Sequence, residues 1–495
     1  MQDKRSLAKA ALRAQLEKRS KARLEKGWTQ GVQGDAGVPF PLEQVFNDYI
    51  VPEAKVVGLL PRDNAAQLHA DGVGVATNWD ILDPTGTARE GGPVPEGKRA
   101  GRLSHTFTRR RADYAGLGVE TTWTWESVFA SKGYFDQKER AVFGIGERLQ
   151  QHEETQVLFG CAETGYGTTP TPTVSTSAGG SIAAATYSVV CVGVTAYGME
   201  WNPDRDLVEG VVSANTQANP NGYSLVAKGG NAKPSASASI VVSANGKIAG
   251  SVATLPGAFG YAWYVGAAGS EKLAAITTFP SFEISALPDS GNQALSAVPT
   301  TDQSVEPLRF DGFLPLVLQH GGYFKDLRGA NLTPNSANGV EEINEALESF
   351  VRKARVCPSI MFVSLDVAPR LAEIIARGSN MNFRVNMQIN GQTINGGLDA
   401  GTYRNPYGQV GGVRDLVIDV HETLPVGTIM FFSTKLPAGR ASYPTPARIL
   451  ERDPYRVKEW AEMERSSDIG IYVDELLQVY APWAFGFIVG INVNA

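Results

Sequence analysis

The segment from Thr77 to Glu126 constrains the fold most strongly, because it is patterned as two extended arms around a turn. Its centre, residues 91–97, reads Gly-Gly-Pro-Val-Pro-Glu-Gly, a composition typical of turns. On the returning side Leu103, His105 and Phe107 alternate with polar residues, as in a strand with one buried face. We therefore predict a long hairpin over 77–126. A two-stranded hairpin has little core of its own and would normally be held by something outside itself.

Charge is sorted between the two arms of this hairpin. The outgoing arm carries carboxylates, whereas the returning arm carries lysine and arginine, including a run of three arginines. In one interpretation the hairpin is solvated, and its cross-strand pairs each contribute little. In the other, a neighbouring copy of the chain holds it. The second interpretation predicts these inter-subunit contact residues: Asp80, Asp83, Glu90, Lys98, Arg99, Arg102, Arg109, Arg110 and Arg111.

Two segments show helical periodicity before residue 165. Residues 134–159 place apolar side chains at steps of three and four, which predicts a long amphipathic helix despite Gly144 and Gly146 in its middle. Residues 1–26 have a thinner apolar stripe, a net charge of +6, and Gly27 as a C-cap. This first segment is either a frayed, solvated tail or an arm that docks on a scaffolding protein, a neighbouring subunit or DNA.

Residues 165–290 differ in composition from the rest of the chain. Charged residues are few, and Ser, Thr, Ala, Gly and Val dominate. Short apolar runs with aromatic residues recur between turn residues, at 185–192, 237–242, 260–265 and 272–278. This spacing predicts an all-β sandwich that resembles fibronectin type III or immunoglobulin-like modules. The alternative is a disordered Ser/Thr/Gly linker, which the recurring aromatic residues disfavour.

Mixed helix and strand patterns follow residue 305. A helix is predicted over 340–354 and a buried strand over 360–363, after which Ser364 or Asp366 caps a second helix. Two further strands are predicted at 416–420 and 428–432, and the carboxy-terminal part from 468 to 494 is apolar and rich in strand-forming residues. The whole pattern predicts an α+β protein, and 495 residues favour two or three domains.

The sequence gives no pattern for catalysis or for a cofactor. The five histidines lie in five separate segments without metal-site spacing, and the three cysteines suit neither a zinc site nor a disulfide framework. Residues 143–147 contain a Gly-x-Gly inside a helical pattern, which is a very weak nucleotide signature. We therefore expect no enzyme activity, no metal and no cofactor.

Charge and hydropathy narrow the choice of partners. The net charge is −6, and since residues 1–26 carry +6, the rest of the chain carries −12. An acidic body disfavours tight binding along a phosphate backbone, so any enclosed DNA would meet a wall and not a clamp. The longest apolar stretch, Tyr480 to Ile491, is too short to span a bilayer, and the first ten residues lack the apolar region of a signal peptide. We expect no membrane partner.

Three segments resemble parts of one known family. Residues 465–485 resemble its closing strand pair and its Tyr-x-Pro-x-Ala element, and residues 420–433, with the Leu-Pro-x-Gly-Thr core, resemble a strand–turn–strand. Residues 357–377 resemble the strand and capped helix that precede it. With the hairpin and the long helix, the order of these parts resembles the major capsid protein of tailed bacteriophages, the fold named for phage Hong Kong ninety-seven. The resemblance covers about 40–160 and 305–490.

The resemblance implies a domain plan in which the β-rich middle is an insertion outside the minimal fold. The plan assigns an N-terminal arm (1–45), a peripheral domain (46–76 and 127–164) with spine helix 134–159, an extended loop (77–126), an inserted immunoglobulin-like β-sandwich (165–290), an axial domain (305–440) and a carboxy-terminal return to the peripheral domain (445–495).

The resemblance also implies a function. The chain would self-assemble through hexamers and pentamers into an icosahedral shell around double-stranded DNA, in the virion, after assembly in the bacterial cytoplasm. Scaffolding, portal and decoration proteins would be further partners. The alternatives are an encapsulin-like compartment and a phage tail or adhesion protein; a hydrolase with an appended β-module has no motif support. Some family members also join subunits by a Lys–Asn isopeptide bond near the hairpin tip, where Lys98 lies, although a plain surface charge is the simpler interpretation of that residue.

Overall fold

A computed structural model of the chain describes residues 54–65, 74–82, 93–94, 96–99, 108–131, 137–218, 223–335, 339–377, 401–408, 413–436, 445–460 and 465–492. The expected combination of helices and strands is confirmed. The predicted N-terminal arm lies outside the described residues, as do Asp83, Glu90 and Arg102. The helices of the described part are α1 (Trp125–Ser131), α2 (Gln137–Phe159), α3 (Ala196–Trp201), α4 (Phe313–Gln319), α5 (Glu341–Ala354) and α6 (Val367–Arg377).

The strands alternate with these helices along the chain. The first half contains β1 (Arg62–Asn64), β2 (Ala76–Ile81), β3 (Thr108–Asp113), β4 (Ala115–Thr124), β5 (Thr173–Ile182), β6 (Ala185–Val194), β7 (Ala214–Ala218), β8 (Ser224–Lys228), β9 (Ala238–Val242), β10 (Gly246–Ser251), β11 (Gly260–Gly266), β12 (Lys272–Thr277) and β13 (Ser281–Ile284). The second half contains β14 (Tyr323–Asp326), β15 (Pro334–Asn335), β16 (Gly339–Val340), β17 (Ile360–Val363), β18 (Thr402–Arg404), β19 (Asp415–Val420), β20 (Ile429–Phe432), β21 (Ala447–Glu459), β22 (Ser466–Val479) and β23 (Gly486–Val489).

A four-stranded sheet with the order β1-β21-β22-β4 packs against the long helix α2. Strand β1 runs parallel to β21, and the other pairs are antiparallel. The helix contributes Val142, Ile145 and Leu149 to the shared core, which the sheet completes with Trp123 and Ile471 among others. The steps of three and four in the sequence therefore identified the face of α2 that is buried.

The hairpin is shorter than the sequence predicted. Strand β2 pairs with β3 from Ala76↔Asp113 to Ile81↔Thr108, but 115–124 pair instead with β22. The physical reason is burial: Trp123 lies in the core beside α2, with Leu117 and Val119 packed against it, which a free hairpin arm would not provide. The hairpin of this structure therefore comprises residues 76–113. The residues whose alternation predicted its returning arm, Leu103 to Phe107, lie outside the described part.

Residues 173–284 form two facing sheets, with the orders β13-β10-β5 and β12-β11-β6-β9. The Trp263 and Phe282 rings stack at 4.4 Å between centroids, and Ile182, Cys191 and Ile248 join the same core. The four apolar runs predicted as strands correspond to β6, β9, β11 and β12. The polar strands β5, β10 and β13 escaped prediction because their alternation is carried by serine, threonine and glycine as much as by apolar residues.

A six-stranded mixed sheet with the order β14-β23-β20-β17-β19-β18 occupies the second half of the chain, with α5 and α6 in its core. Helix α5 begins one residue after the predicted start and ends at Arg355, whose φ of 54° is left-handed. Ser364 precedes α6 as expected, but its main-chain oxygen, not its hydroxyl, accepts from the amides of Val367 and Ala368.

The carboxy-terminal segment does not stay in one sheet. Strand β22 belongs to the four-stranded sheet, whereas β23 pairs with β14 and β20 of the six-stranded sheet. The expected return of 445–495 to the first sheet is therefore wrong for its last part. Strand β23 is buried throughout, and Gly427 lies so close to the following turn that a Cβ would stand 2.6 Å from the oxygen of Ile491. Complete burial of an apolar strand requires partners on both edges.

Replacing Trp263 by alanine tests the core between the two β-rich sheets. Trp263 is fully buried, and its indole N–H donates to Thr277 Oγ1 at 2.9 Å, so we expect a loss of about 3–5 kcal/mol in the free energy of unfolding this region. The measurement is urea unfolding followed by hydrogen exchange of residues 173–284. Val241→Ala on the exposed face of β9 is the control and is expected to change stability by less than about 0.5 kcal/mol. An equal effect of the two substitutions would contradict a shared core.

Candidate assembly surface

The root of the hairpin is fixed to its own subunit. The indole N–H of Trp79 donates to the oxygen of Val479 at 3.0 Å, and the amide of Leu82 donates to the oxygen of Tyr480 at 2.8 Å. Trp483 Nε1 then donates to the oxygen of Leu82 at 2.8 Å. Because these bonds lie at the last described residues of the outgoing arm, the chain leaves the body of the subunit from a defined position.

Arg110 belongs to this root. Its guanidinium forms a salt bridge with Asp311 and donates to Gln319 Oε1 at 2.9 Å, and little of either charged side chain is exposed. The other carboxylate oxygen of Asp311 accepts from the amide of Ala162 at 2.6 Å, just beyond the end of α2. Arg110 therefore joins the hairpin to α2 and α4 within one chain, and this described contact gives it an intrachain role where the sequence suggested an inter-subunit one.

The neighbouring arginines of the run point outward. Arg109 lies directly opposite Asp80 in the hairpin ladder and donates to it at 3.0 Å, but 76% of the Arg109 side chain is exposed. Arg111 lies 3.7 Å from Asp113, and both side chains are exposed. Lys98 and Arg99 are also exposed. Of the predicted contact residues, the structure brings together Asp80 and Arg109, and it leaves Lys98, Arg99, Arg109 and Arg111 available at the surface.

A groove of about 620 Å³ lies beside the hairpin-proximal sheet, between β4, helix α2 and the β7–β8 pair. Leu117, Leu149, Tyr223 and Leu308 are among its apolar lining residues. Its ionisable side chains include His152, Glu120, Glu306, Asp468 and Arg309. Desolvation, with the charges of Arg148 and Arg309, lowers the pKa of His152 to about 4, so this histidine is neutral at pH 7.

The joint between helix α2 and the four-stranded sheet is a buried charge cluster that sequence analysis missed. Arg62 bonds Glu153, and it lies 2.6 Å from Glu451 and 3.3 Å from Glu475. Tyr455 donates its hydroxyl to Glu153. A usable signal existed, since Glu153 lies four residues beyond Leu149 on the apolar stripe of α2, where a charge needs a partner.

This cluster holds three carboxylates around one guanidinium. Burial raises the pKa of Glu153, and it raises the pKa of Glu475 well above its usual range. The two carboxyl groups lie within hydrogen-bonding range of each other, which requires that one of them carries a proton. Glu475 and Glu451 are also direct cross-strand neighbours, an arrangement that repels if both are charged. A shared proton therefore stabilises this joint.

The next residue of α2, Glu154, joins the helix to the six-stranded sheet. Its carboxylate accepts from the amides of Val56 and Val57 at 2.9 and 2.8 Å, and it lies 2.6 Å from His421 Nε2. Because His421 Nδ1 accepts from the amide of Thr423 at 3.2 Å, Nε2 is the protonated nitrogen that donates to Glu154. The described residues contain no cluster of three or more His, Cys, Asp or Glu side chains suited to a metal ion. Nor does any helix of the described part combine the length and apolarity needed to cross a membrane.

Comparison with known proteins gives solved structures but no family. No family model matches the chain, and no curated protein matches it. The chain is similar to the capsid of Myoviridae phage XM1, at 8% identity and a TM-score of 0.37 over 93% of this chain and 97% of that one. It is similar to Mycobacterium phage Bobi at 10% identity and a TM-score of 0.37, over 93% and 95% of the two chains.

A third solved structure similar to the chain is the SrpI encapsulin of Synechococcus elongatus PCC 7942, at 8% identity and a TM-score of 0.37 over 96% of each chain. All three TM-scores lie below 0.5. The case for a function therefore rests on the contacts and charges of this chain.

Arg110→Ala and Arg109→Ala should differ in their effect on the subunit. Removing Arg110 leaves the buried carboxylate of Asp311 without its charged partner, so we expect a loss of about 3–5 kcal/mol in stability. Removing the solvated Arg109 should leave the unfolding transition where it is. Chemical denaturation of the two variants beside the wild type measures this difference, and an unchanged transition for Arg110→Ala would contradict the intrachain role.

Glu475→Gln should change how stability depends on pH. A carboxyl group whose pKa is raised by folding stabilises the folded chain most below its unfolded pKa, and this contribution is lost as pH rises through the folded pKa. Glutamine keeps a hydrogen-bonding side chain without the ionisation. We therefore expect the variant to gain in thermal unfolding midpoint relative to the wild type as pH rises from 5 to 9.

The control for this pH series is Glu283→Gln, because the Glu283 side chain is exposed and pairs with Lys247 at the surface. Its midpoint should follow that of the wild type at each pH. Parallel curves for Glu475→Gln and the wild type would show that the buried cluster holds no proton that matters for stability.

Proposed function

We propose that this chain is the building block of a closed protein shell, and more specifically the major capsid protein of a tailed bacteriophage. The shell would be built from hexamers and pentamers and would enclose double-stranded DNA without sequence-specific binding. Scaffolding, portal and decoration proteins would act with it during assembly.

The hairpin is the observation that carries this proposal. Its root is fastened by buried hydrogen bonds and the Arg110–Asp311 ion pair, yet the described residues beyond the root, 93–94 and 96–99, are all exposed. The 25 residues between Leu82 and Thr108 allow an excursion of up to about 40 Å from the root. A free-standing molecule gains nothing from such an arm, because a lone hairpin is marginally stable in water. A neighbouring copy supplies the missing surface.

The domain plan is part of the proposal. We assign the four-stranded sheet and the spine helix α2 to the peripheral domain, and the six-stranded sheet to the axial domain, with β23 as the strand that returns to it. The two facing sheets of 173–284 would be an inserted immunoglobulin-like domain on the outer face of the shell. Its low charge suits contact with a neighbouring capsomer, a decoration protein or a host surface.

Symmetry supplies the stability that each contact lacks. Solvated ion pairs of the kind Arg109 and Arg111 can form contribute about 0–1 kcal/mol each. In a closed shell every copy both gives and receives the same contacts, so many weak contacts act together. The acidic body, at −12 outside residues 1–26, suits a wall around DNA more than a clamp on it.

Negative-stain microscopy of the purified full chain tests the shell, with closed particles or capsomers as the expected result. A strictly monomeric chain at every salt concentration would refute it. Nuclease treatment of native particles tests the cargo: protected double-stranded DNA is expected for a capsid, and protected protein without DNA would identify an encapsulin-like compartment. Binding to cells or carbohydrate without any closed particle would identify a tail or adhesion protein.

The double variant Arg109→Glu/Arg111→Glu tests the role of the hairpin. Both side chains are exposed, so the subunit should fold normally, while charge reversal should reduce particle yield at least tenfold. Particle counts after gradient sedimentation, with circular dichroism of the subunit, measure the two effects. Lys247→Glu, an exposed reversal on β10, is the control and should assemble like the wild type. Normal particles from the double variant would remove the hairpin from the assembly contact.

A further inference from the structure

We propose that the groove between β4, helix α2 and the β7–β8 pair receives the returning arm of the hairpin from a second copy, which adds as a strand to the outer edge of β4. This inference rests on the proposed shell function and names the receiving surface for the hairpin. Four properties of the groove support it.

The first property is an uncovered strand edge. Strand β4 pairs with β22 through ten consecutive residue pairs, from Ala115↔Glu475 to Thr124↔Ser466, without a bulge. It is the last strand of its sheet in the described part of the chain. Its sequence, AGLGVETTWT, contains no proline and a single charged residue, Glu120. Proteins normally blunt a long regular edge with proline, bulges or charges, because its free N–H and C=O groups bind other strands.

The second property is the wall opposite that edge. Tyr223, at the start of the β7–β8 pair, is 63% exposed, and Leu308 is 60% exposed. Leu117 and Leu149 line the groove between them and α2. An extended chain laid along β4 would form main-chain hydrogen bonds on one side and would cover these apolar side chains on the other. The combination gives affinity through the backbone and burial through the wall.

The third property is charge, which selects the occupant. The groove presents the carboxylates of Glu120, Glu306 and Asp468 against the single cation Arg309, because His152 is neutral. The returning arm of the hairpin carries Lys98, Arg99, Arg102, Arg109 and Arg111, with Arg110 already engaged in its own subunit. The outgoing arm, with Asp80, Asp83 and Glu90, would be repelled. An acidic groove and a basic strand are complementary.

The fourth property is connectivity, which requires that the arm comes from another copy. Tyr114 alone separates β3 from β4. The tightest hairpin connections use two residues, so one residue cannot reverse the chain to lay β3 antiparallel along β4 of the same subunit. Strand β3 is also already paired with β2. The edge of β4 is therefore open to a sister chain.

Cysteine crosslinking in assembled particles tests the contact. One copy carries Thr122→Cys on β4, and a second, differently tagged copy carries Lys98→Cys, Arg99→Cys or Arg109→Cys on the arm. The described native cysteines, Cys161, Cys191 and Cys357, are buried and should not interfere. After mild oxidation we expect a covalent dimer containing both tags for at least one arm position. The control pairs the same arm cysteines with Val241→Cys, an exposed site on β9, and should give none.

The outcomes separate this inference from the shell itself. Particles that form without any mixed dimer, at all three arm positions, would overturn the groove as the receiving surface and leave the shell proposal intact. A lack of particles from the wild-type chain would overturn both. A crosslink confined to single chains would show that the hairpin occupies its own groove and would also overturn the inference.

Hydrogen exchange on the wild-type chain tests the same contact without substitutions. We expect amides of 116–122 to exchange at least tenfold more slowly in particles than in dissociated subunits, because a sister strand would bond the outer edge of β4. Amides of β11, which are already paired on both sides within the subunit, serve as the internal control and should not change. Equal exchange of 116–122 in both states would overturn the inference.

Discussion

Two consecutive carboxylates on helix α2, Glu153 and Glu154, join the two main sheets of this protein. Glu153 meets Arg62 and Tyr455 of the four-stranded sheet, and Glu154 meets His421 of the six-stranded sheet. Successive residues of a helix point about 100° apart, so one helix turn can face two bodies at once. Burial makes each contact specific, because a buried charge that loses its partner costs about 3–5 kcal/mol. The relative placement of the two sheets depends on this point.

The proton held between Glu153 and Glu475 makes this joint conditional. Three carboxylates and one guanidinium cannot all stay ionised in a dry site, so the fold keeps one acid neutral and uses it as a donor. Glu475 belongs to β22, which also pairs with β4 and β21. The same strand therefore connects the buried cluster to the free edge that we propose as the docking surface, and a loosened cluster would disturb both.

The hairpin and the groove divide their work between stability and assembly. Contacts of the root are buried and local to one subunit, as the Trp79 and Arg110 bonds show. The contacts proposed for the arm are exposed, weak and repeated by symmetry. This division lets a subunit fold before it meets a neighbour, and it leaves a bare strand edge and a basic arm whose cover comes only with assembly.

Local periodicity in the sequence was enough to predict most elements and one ladder. The spine helix, α5 and the apolar strands β6, β11 and β19 lie where their side-chain periods placed them, because a 3.6- or 2-residue period depends only on neighbours along the chain. The charge sorting of the hairpin likewise anticipated that Asp80 would lie opposite Arg109. These predictions needed no knowledge of distant residues.

Tertiary structure alone decided the partners. The hairpin lost residues 115–124 to β22, about 350 positions away, and β23 left its expected sheet, because strand pairing is set by which buried surfaces fit and not by the strand's own pattern. Arg110 and its neighbours Arg109 and Arg111 are identical in sequence terms, yet only Arg110 meets a buried carboxylate. Burial is a property of the assembled core, which is why a run of three equal charges became one anchor and two free contacts.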